Sequence, residues 1–124
     1  MNKSTLLCAV LFFAATAIAH AHAHLKQATP AEGSVLTTSP AHVALRFSEA
    51  ARLTAAWIQK EGNPRQKLEP LPQEPAAEIS VALPSLAPGH YVVSWRVVGD
   101  DGHILPGQLH FTIAPATPPR AAPP

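Results

Sequence analysis

The run Tyr91-Val92-Val93-Ser94-Trp95-Arg96-Val97-Val98 decides the fold. Tyr91, Val93, Trp95 and Val97 fall on one side of an extended chain, and Val92, Ser94, Arg96 and Val98 on the other. A period of two is the signature of a β-strand, because successive side chains leave opposite faces. The second face is itself half apolar, which predicts a central position in a sheet.

Working outward, Gly99-Asp100-Asp101-Gly102 is a turn, and the chain returns through Gln108 to Ile113 with Leu109, Phe111 and Ile113 facing the core. Upstream, Ile79, Val81 and Leu83 alternate with Ser80 and Ala82, and Pro84 to Gly89 supplies the turn between that strand and the central one. The polar, proline-rich stretch from Glu61 to Ala76 reads as a loop with room for a short edge strand. Over residues 53 to 60, Leu53, Ala55 and Trp57 alternate against Thr54 and Ala56. Val43, Leu45 and Phe47 share a face after Ser39-Pro40, and a first strand over Leu25 to Thr29 runs into the turn Pro30-Ala31-Glu32-Gly33. No long stretch has helical periodicity. About seven short strands broken by turns predict an all-β domain, a seven-stranded Greek-key β-sandwich of immunoglobulin-like build.

The two ends have different characters. Lys3, the apolar run from Leu6 to Ala17 and the small residues that follow read as a secretory signal peptide, too short to span a bilayer as a helix. Cys8 lies inside it, so the exported chain is expected to hold no cysteine: no disulfide, no thiolate nucleophile and no soft thiolate ligand. From Ala114 onward the chain is mostly Pro and Ala with a single Arg120, which cannot build a core and predicts a disordered tail over 115–124. The full chain carries 9 Lys+Arg against 8 Asp+Glu, and removal of Lys3 balances them. A neutral balance argues against nucleic acid or an anionic membrane surface as partner.

Histidine is the distinctive residue, with seven in the chain and three at alternate positions, His20, His22 and His24. Signal peptidase requires small residues at the third and first positions before its cut, and cleavage after Ala19, Ala21 or Ala23 meets that rule. Each cut leaves a histidine first. An N-terminal histidine offers an α-amine and an imidazole on one residue, a chelate suited to Cu(II), which favours nitrogen in tetragonal geometry. With His22 first, His24 also completes an x-x-His arrangement of amine, two amides and imidazole. Further along, Asp101 and His103 sit two apart, so that an extended chain would present both side chains on one face. A carboxylate oxygen and an imidazole nitrogen added to the amine and imidazole give three nitrogens and one oxygen, a set that fits Cu(II).

His22-x-His24-Leu25, Thr29-Pro30-Ala31-Glu32-Gly33-Ser34, Phe47-Ser48-Glu49, Ser94-Trp95-Arg96-Val97-Val98 and Asp101-Gly102-His103 together resemble the CopC copper-resistance family. The resemblance runs from His22 to about Ile113. It implies a cupredoxin-like sandwich over 22–114, a signal peptide over 1–21, and a periplasmic copper carrier acting in resistance or homeostasis. It also implies one Cu(II) per chain held by His22, Asp101 and His103, with delivery to an inner-membrane copper transporter of the CopD type. Some members carry a methionine-rich segment for Cu(I), but this chain has no methionine after Met1, so no thioether site is expected.

His24 is a candidate extra ligand or a solvated strand residue, and Glu49 a candidate hydrogen-bond partner for a ligand imidazole. His42, His90 and His110 fall beside turns or on strand faces, where surface or structural roles are expected. Two competing functions are a copper-dependent oxidative enzyme with an N-terminal histidine site and a structural sandwich with an incidental histidine-rich end. The short chain and the absence of a flat aromatic face argue against the enzyme, so none is expected. A monomer with no membrane anchor suffices for the site, which needs no second subunit.

Overall fold

The computed structural model describes residues 23–116. The signal peptide expected over 1–21, the candidate ligand His22 and the tail from 117 lie outside these residues. Seven strands are present among them: β1 (Leu25–Thr29), β2 (Ser34–Leu36), β3 (His42–Lys60), β4 (Gln66–Lys67), β5 (Ala76–Ala82), β6 (Gly89–Gly99) and β7 (Ile104–Ile113). They form one curled sheet in the order β1-β3-β6-β7-β2, with β4 and β5 also paired to β3.

Strand β3 organises this sheet. Its first part is paired on both edges, Ala44–Phe47 by β1 and His42–Arg46 by β5. Its second part changes partners, with Ala51–Lys60 paired to β6 and Trp57–Ile58 to β4. Between the two, the β3–β5 register jumps from Arg46↔Glu78 to Ala51↔Ala76. β3 thus advances five residues while β5 advances two, and the surplus bends the strand at Ser48–Ala50. The alternation predicts two separate strands here; the structure joins them into one of 19 residues. The bend folds the two halves of the sheet onto each other around a single apolar core, as expected for a sandwich.

The core follows the strand alternation. Val43, Leu45 and Phe47 are buried from β3, Ile79 and Val81 from β5, Tyr91, Val93, Trp95 and Val97 from β6, and Leu109, Phe111 and Ile113 from β7. Val97 is fully buried, at 0% exposure. One expectation fails in the second part of β3, where Leu53 is buried but Ala56 and Ile58 replace Ala55 and Trp57 as the inward residues. The pairing explains this: Leu53 opposes Val97, but Ala55 opposes Arg96, so Thr54 is an extra residue. Its hydroxyl donates to the Arg96 carbonyl at 3.1 Å, fixing a bulge that turns every later side chain over. Trp57 is left on the outer face, with the Arg65 and Arg96 guanidinium carbons 4.3 and 5.2 Å from its ring centroid.

Strand β2 was not expected. It pairs in parallel with β7, Ser34 to Leu36 against Phe111 to Ile113. The turn before it is held by Glu32, whose carboxylate accepts the His110 backbone N–H and engages the His110 ring Nδ1, both at 2.9 Å. The backbone bond first, and then the imidazole, hold the Glu32 carboxyl below its ordinary value of 4.5. At the other end of the turn before β6, the Tyr91 hydroxyl donates to the Ala87 carbonyl.

Gly107 lies opposite Trp95 across β6 and β7, and a Cβ there would overlap the indole ring. Gly107→Ala is therefore expected to lower the unfolding free energy by about 1–3 kcal/mol, as overpacking of a filled core does, measured by urea denaturation. A depressed folded-state carboxyl gives stability that is present above the unfolded value and lost as pH falls through the lowered one. Glu32→Gln should accordingly flatten the fall in melting temperature below about pH 4.5.

Candidate metal centre at the bend pole

Asp101 and His103 lie in the connection between β6 and β7. The Gly99 carbonyl accepts from the Gly102 N–H at 3.0 Å, and the Gly99 N–H donates to the His103 carbonyl at 3.2 Å. Gly102 adopts φ +77°, in the left-handed region where glycine carries no Cβ penalty. This is a three-residue hairpin loop, a turn closed by a left-handed glycine, and Asp100-Asp101-Gly102 is a sequence suited to it. The extended arrangement expected from the spacing is thus replaced by a tight turn.

The turn brings the two side chains into direct contact. Asp101 Oδ1 accepts the His103 backbone N–H at 3.1 Å, and Asp101 Oδ2 lies 2.8 Å from His103 Nδ1. A carboxylate can only accept, so the imidazole proton sits on Nδ1 and Nε2 of the neutral ring carries the lone pair that a metal would use. This is the arrangement in which a carboxylate orients a ligating histidine. His103 is 65% exposed and Asp101 31%, so the pair is accessible without any opening of the fold. Gly99 lies beneath it, where a Cβ would approach Asp101 Oδ1 to 3.2 Å.

The beginning of the described chain is fixed at the same end of the sandwich. The His24 N–H donates to the Ser48 hydroxyl at 2.8 Å, and the Ser48 N–H donates to the His24 carbonyl at 2.7 Å. Ala23, only 7% exposed, belongs to the core. Ser48 is at the bend of β3, and Ala51, three residues on, is paired to Gly99 at the start of the Asp101–His103 loop. Three residues of strand span about 10 Å, so the segment at His24 and the loop share one pole. Ser48 stands within the Phe47-Ser48-Glu49 motif, but its reciprocal bonds to His24 are tertiary and leave no local signal that could have marked it.

The residues expected at the site therefore divide. Asp101 and His103 meet, His24 lies at the same pole with its backbone on Ser48, and Glu49 is half-buried in the bend. His22 lies outside the described residues. Among those residues no group of three or more His, Cys, Asp or Glu side chains is gathered to hold a metal. The loop supplies two donors of a set that needs more, and one imidazole with one carboxylate suits a borderline divalent ion.

Residues 25–114 match the CopC domain. The chain is 33% identical over 98 residues to Protein YobA of Escherichia coli K12, covering 75% of this chain and 79% of YobA. It is also 33% identical over 109 residues to Copper resistance protein C of Pseudomonas syringae pv. tomato, covering 79% and 85% of the two chains. Among solved structures, CopC from Methylosinus trichosporium OB3b superposes with a TM-score of 0.66 at 29% identity, over 78% of this chain and 98% of that one. PcoC, a methionine-rich copper resistance protein from Escherichia coli, gives 0.54 at 27% identity, over 75% and 99%. A family match across the whole described sandwich, supported by relatives in sequence and in structure, shows that this chain belongs to the CopC family.

Proposed function

We propose that the protein is a periplasmic copper-binding protein of copper resistance, taking up one Cu(II) as cargo and passing it on without catalysis. The observation that carries this reading is the Asp101–His103 pair, oriented for metal on a hairpin at the pole where His24 is pinned to Ser48. The relatives named for copper resistance support the metal.

In this reading signal cleavage after Ala21 makes His22 the first residue. Its α-amine and imidazole, with an Asp101 oxygen and a His103 ring nitrogen, form a three-nitrogen, one-oxygen set suited to Cu(II). Ala23, buried beside His24, would fix the entry of that N-terminus. Without metal Asp101 orients His103; to become a donor oxygen on the same ion its carboxylate would leave His103 Nδ1, because an oxygen at Nδ1 and a metal at Nε2 lie on opposite sides of the ring. PcoC is named as methionine-rich, whereas this chain has a single methionine, Met1, so no thioether site for Cu(I) is included. Leu25 and Ile104, exposed beside His24 and His103, would give a delivery partner of the CopD type an apolar rim to meet. A monomer suffices for this cycle.

Intact mass of the exported protein with one equivalent of Cu(II) is expected to show a chain beginning at His22 with one copper bound. A start at any residue other than histidine would remove the chelate and overturn the ligand set. Asp101→Ala and His103→Ala should each weaken Cu(II) binding by more than about 100-fold, since losing even the groups that orient metal ligands costs 10- to 100-fold. Competition titration against a chelator reads this directly. Binding also requires a deprotonated amine and imidazoles, with reference values near 8 and 6.5, so affinity should fall steadily from about pH 8 to pH 5. An affinity unchanged over that interval would exclude these donors.

A further inference from the structure

The contact that orients His103 recurs at the opposite pole. Glu32 Oε2 accepts the His110 backbone N–H and Glu32 Oε1 engages the His110 Nδ1, both at 2.9 Å. The same double hold of one histidine by one carboxylate joins Asp101 to His103. The consequence is also the same: the His110 proton is kept on Nδ1, and Nε2, without a hydrogen bond among the described residues, carries the lone pair.

A second imidazole stands beside it. His90 on β6 is opposite Thr112 and Val92 is opposite His110, so His90 and His110 are diagonal neighbours on the outer face. Diagonal positions of an antiparallel pair are about 7–8 Å apart, within reach of two long side chains. His90 Nδ1 shares a hydrogen bond of 2.8 Å with the Thr112 hydroxyl, an oxygen that can accept the Nδ1 proton and leave Nε2 to a metal. Both residues line one cavity of about 410 Å³, whose margin also includes Glu61, and the Glu61 backbone N–H donates to the His90 carbonyl at 2.9 Å.

We infer that His90 and His110 form a second, weaker site for a borderline divalent cation, Cu(II) or Zn(II), oriented by Glu32 and Thr112 and completed by water. Imidazole pairs suit these ions, whereas hard cations prefer oxygen. With two protein nitrogens and no chelating amine, the site fills after the one at the bend pole. Nine residues of β6 separate His90 from Gly99, about 30 Å of strand, so the two ions are independent.

The test uses the full exported chain loaded with one equivalent of Cu(II) and then titrated with a second, while the imidazole signals of His90 and His110 are followed by NMR. The second equivalent is expected to broaden both signals, and the first to leave them sharp. His90→Gln and His110→Gln should each abolish that broadening, and Glu32→Gln should weaken the second binding step by about 10- to 100-fold. Both histidines are exposed, so the metal-free melting temperature of the histidine variants should stay near that of the parent. A second equivalent that leaves the two signals sharp, or that binds equally well to the His90→Gln/His110→Gln protein, overturns the proposal. In Asp101→Ala/His103→Ala protein the broadening should persist whatever becomes of the first step, which separates this site from the bend-pole reading.

Discussion

Strand β3 changes sheet partners at Ser48–Ala50, and the rest of the domain depends on that change. A strand that stayed straight for 19 residues would run off the edge of a domain this small. Three surplus residues relative to β5 turn it instead, so one backbone serves both halves of the sandwich. At the bend the Ser48 hydroxyl and N–H clasp the main chain of His24. The bend that closes the fold thus also places the segment at His24. The β6–β7 loop reaches the same pole because Gly99 is in register with Ala51, immediately past the bend.

Much of this was legible in the sequence where the physics is local. The alternation of Tyr91, Val93, Trp95 and Val97 placed a central strand because burial follows a period of two. Asp100-Asp101-Gly102 marked a turn because glycine tolerates a left-handed backbone. Tertiary effects were hidden. The Thr54 bulge reversed the faces of Ala55 to Ile58, and nothing in a run of apolar residues reveals an insertion that exists only relative to β6. Strand β2 escaped notice because three residues show no periodicity and its partner, β7, is more than seventy residues away. At the candidate site, the identities of Asp101 and His103 were readable, but their contact was not: the spacing suggested parallel side chains, whereas the turn folds the carboxylate onto the imidazole.

The two carboxylate-held histidines show how a small β-domain can control imidazole chemistry without burying it. Neither His103 nor His110 is shielded from water, so burial does not set the tautomer. Each is fixed by one carboxylate that grips both the ring and the backbone amide of the same residue, and the side chain loses rotamer freedom where an exposed ring would otherwise turn. In Asp101–His103 the grip spans two residues of one turn, and in Glu32–His110 it spans 78 positions of sequence and also anchors β2. The first is therefore a local device that needs only its hairpin, while the second exists only once the sheet has closed.

The register of β6 and β7 has a further consequence at the far end. Gly89 pairs with Ile113, and the Ala114 N–H donates to the Leu36 carbonyl, so the described chain leaves the sandwich about 30 Å from where Ala23 enters it. Many domains have neighbouring termini and can be inserted into a host loop or circularly permuted with a short joint. This one is strung end to end like a bead on a thread. Joining its ends would need a linker running the length of the molecule, whereas a fusion or tether at the Ala114 end leaves the Asp101–His103 end open to solvent.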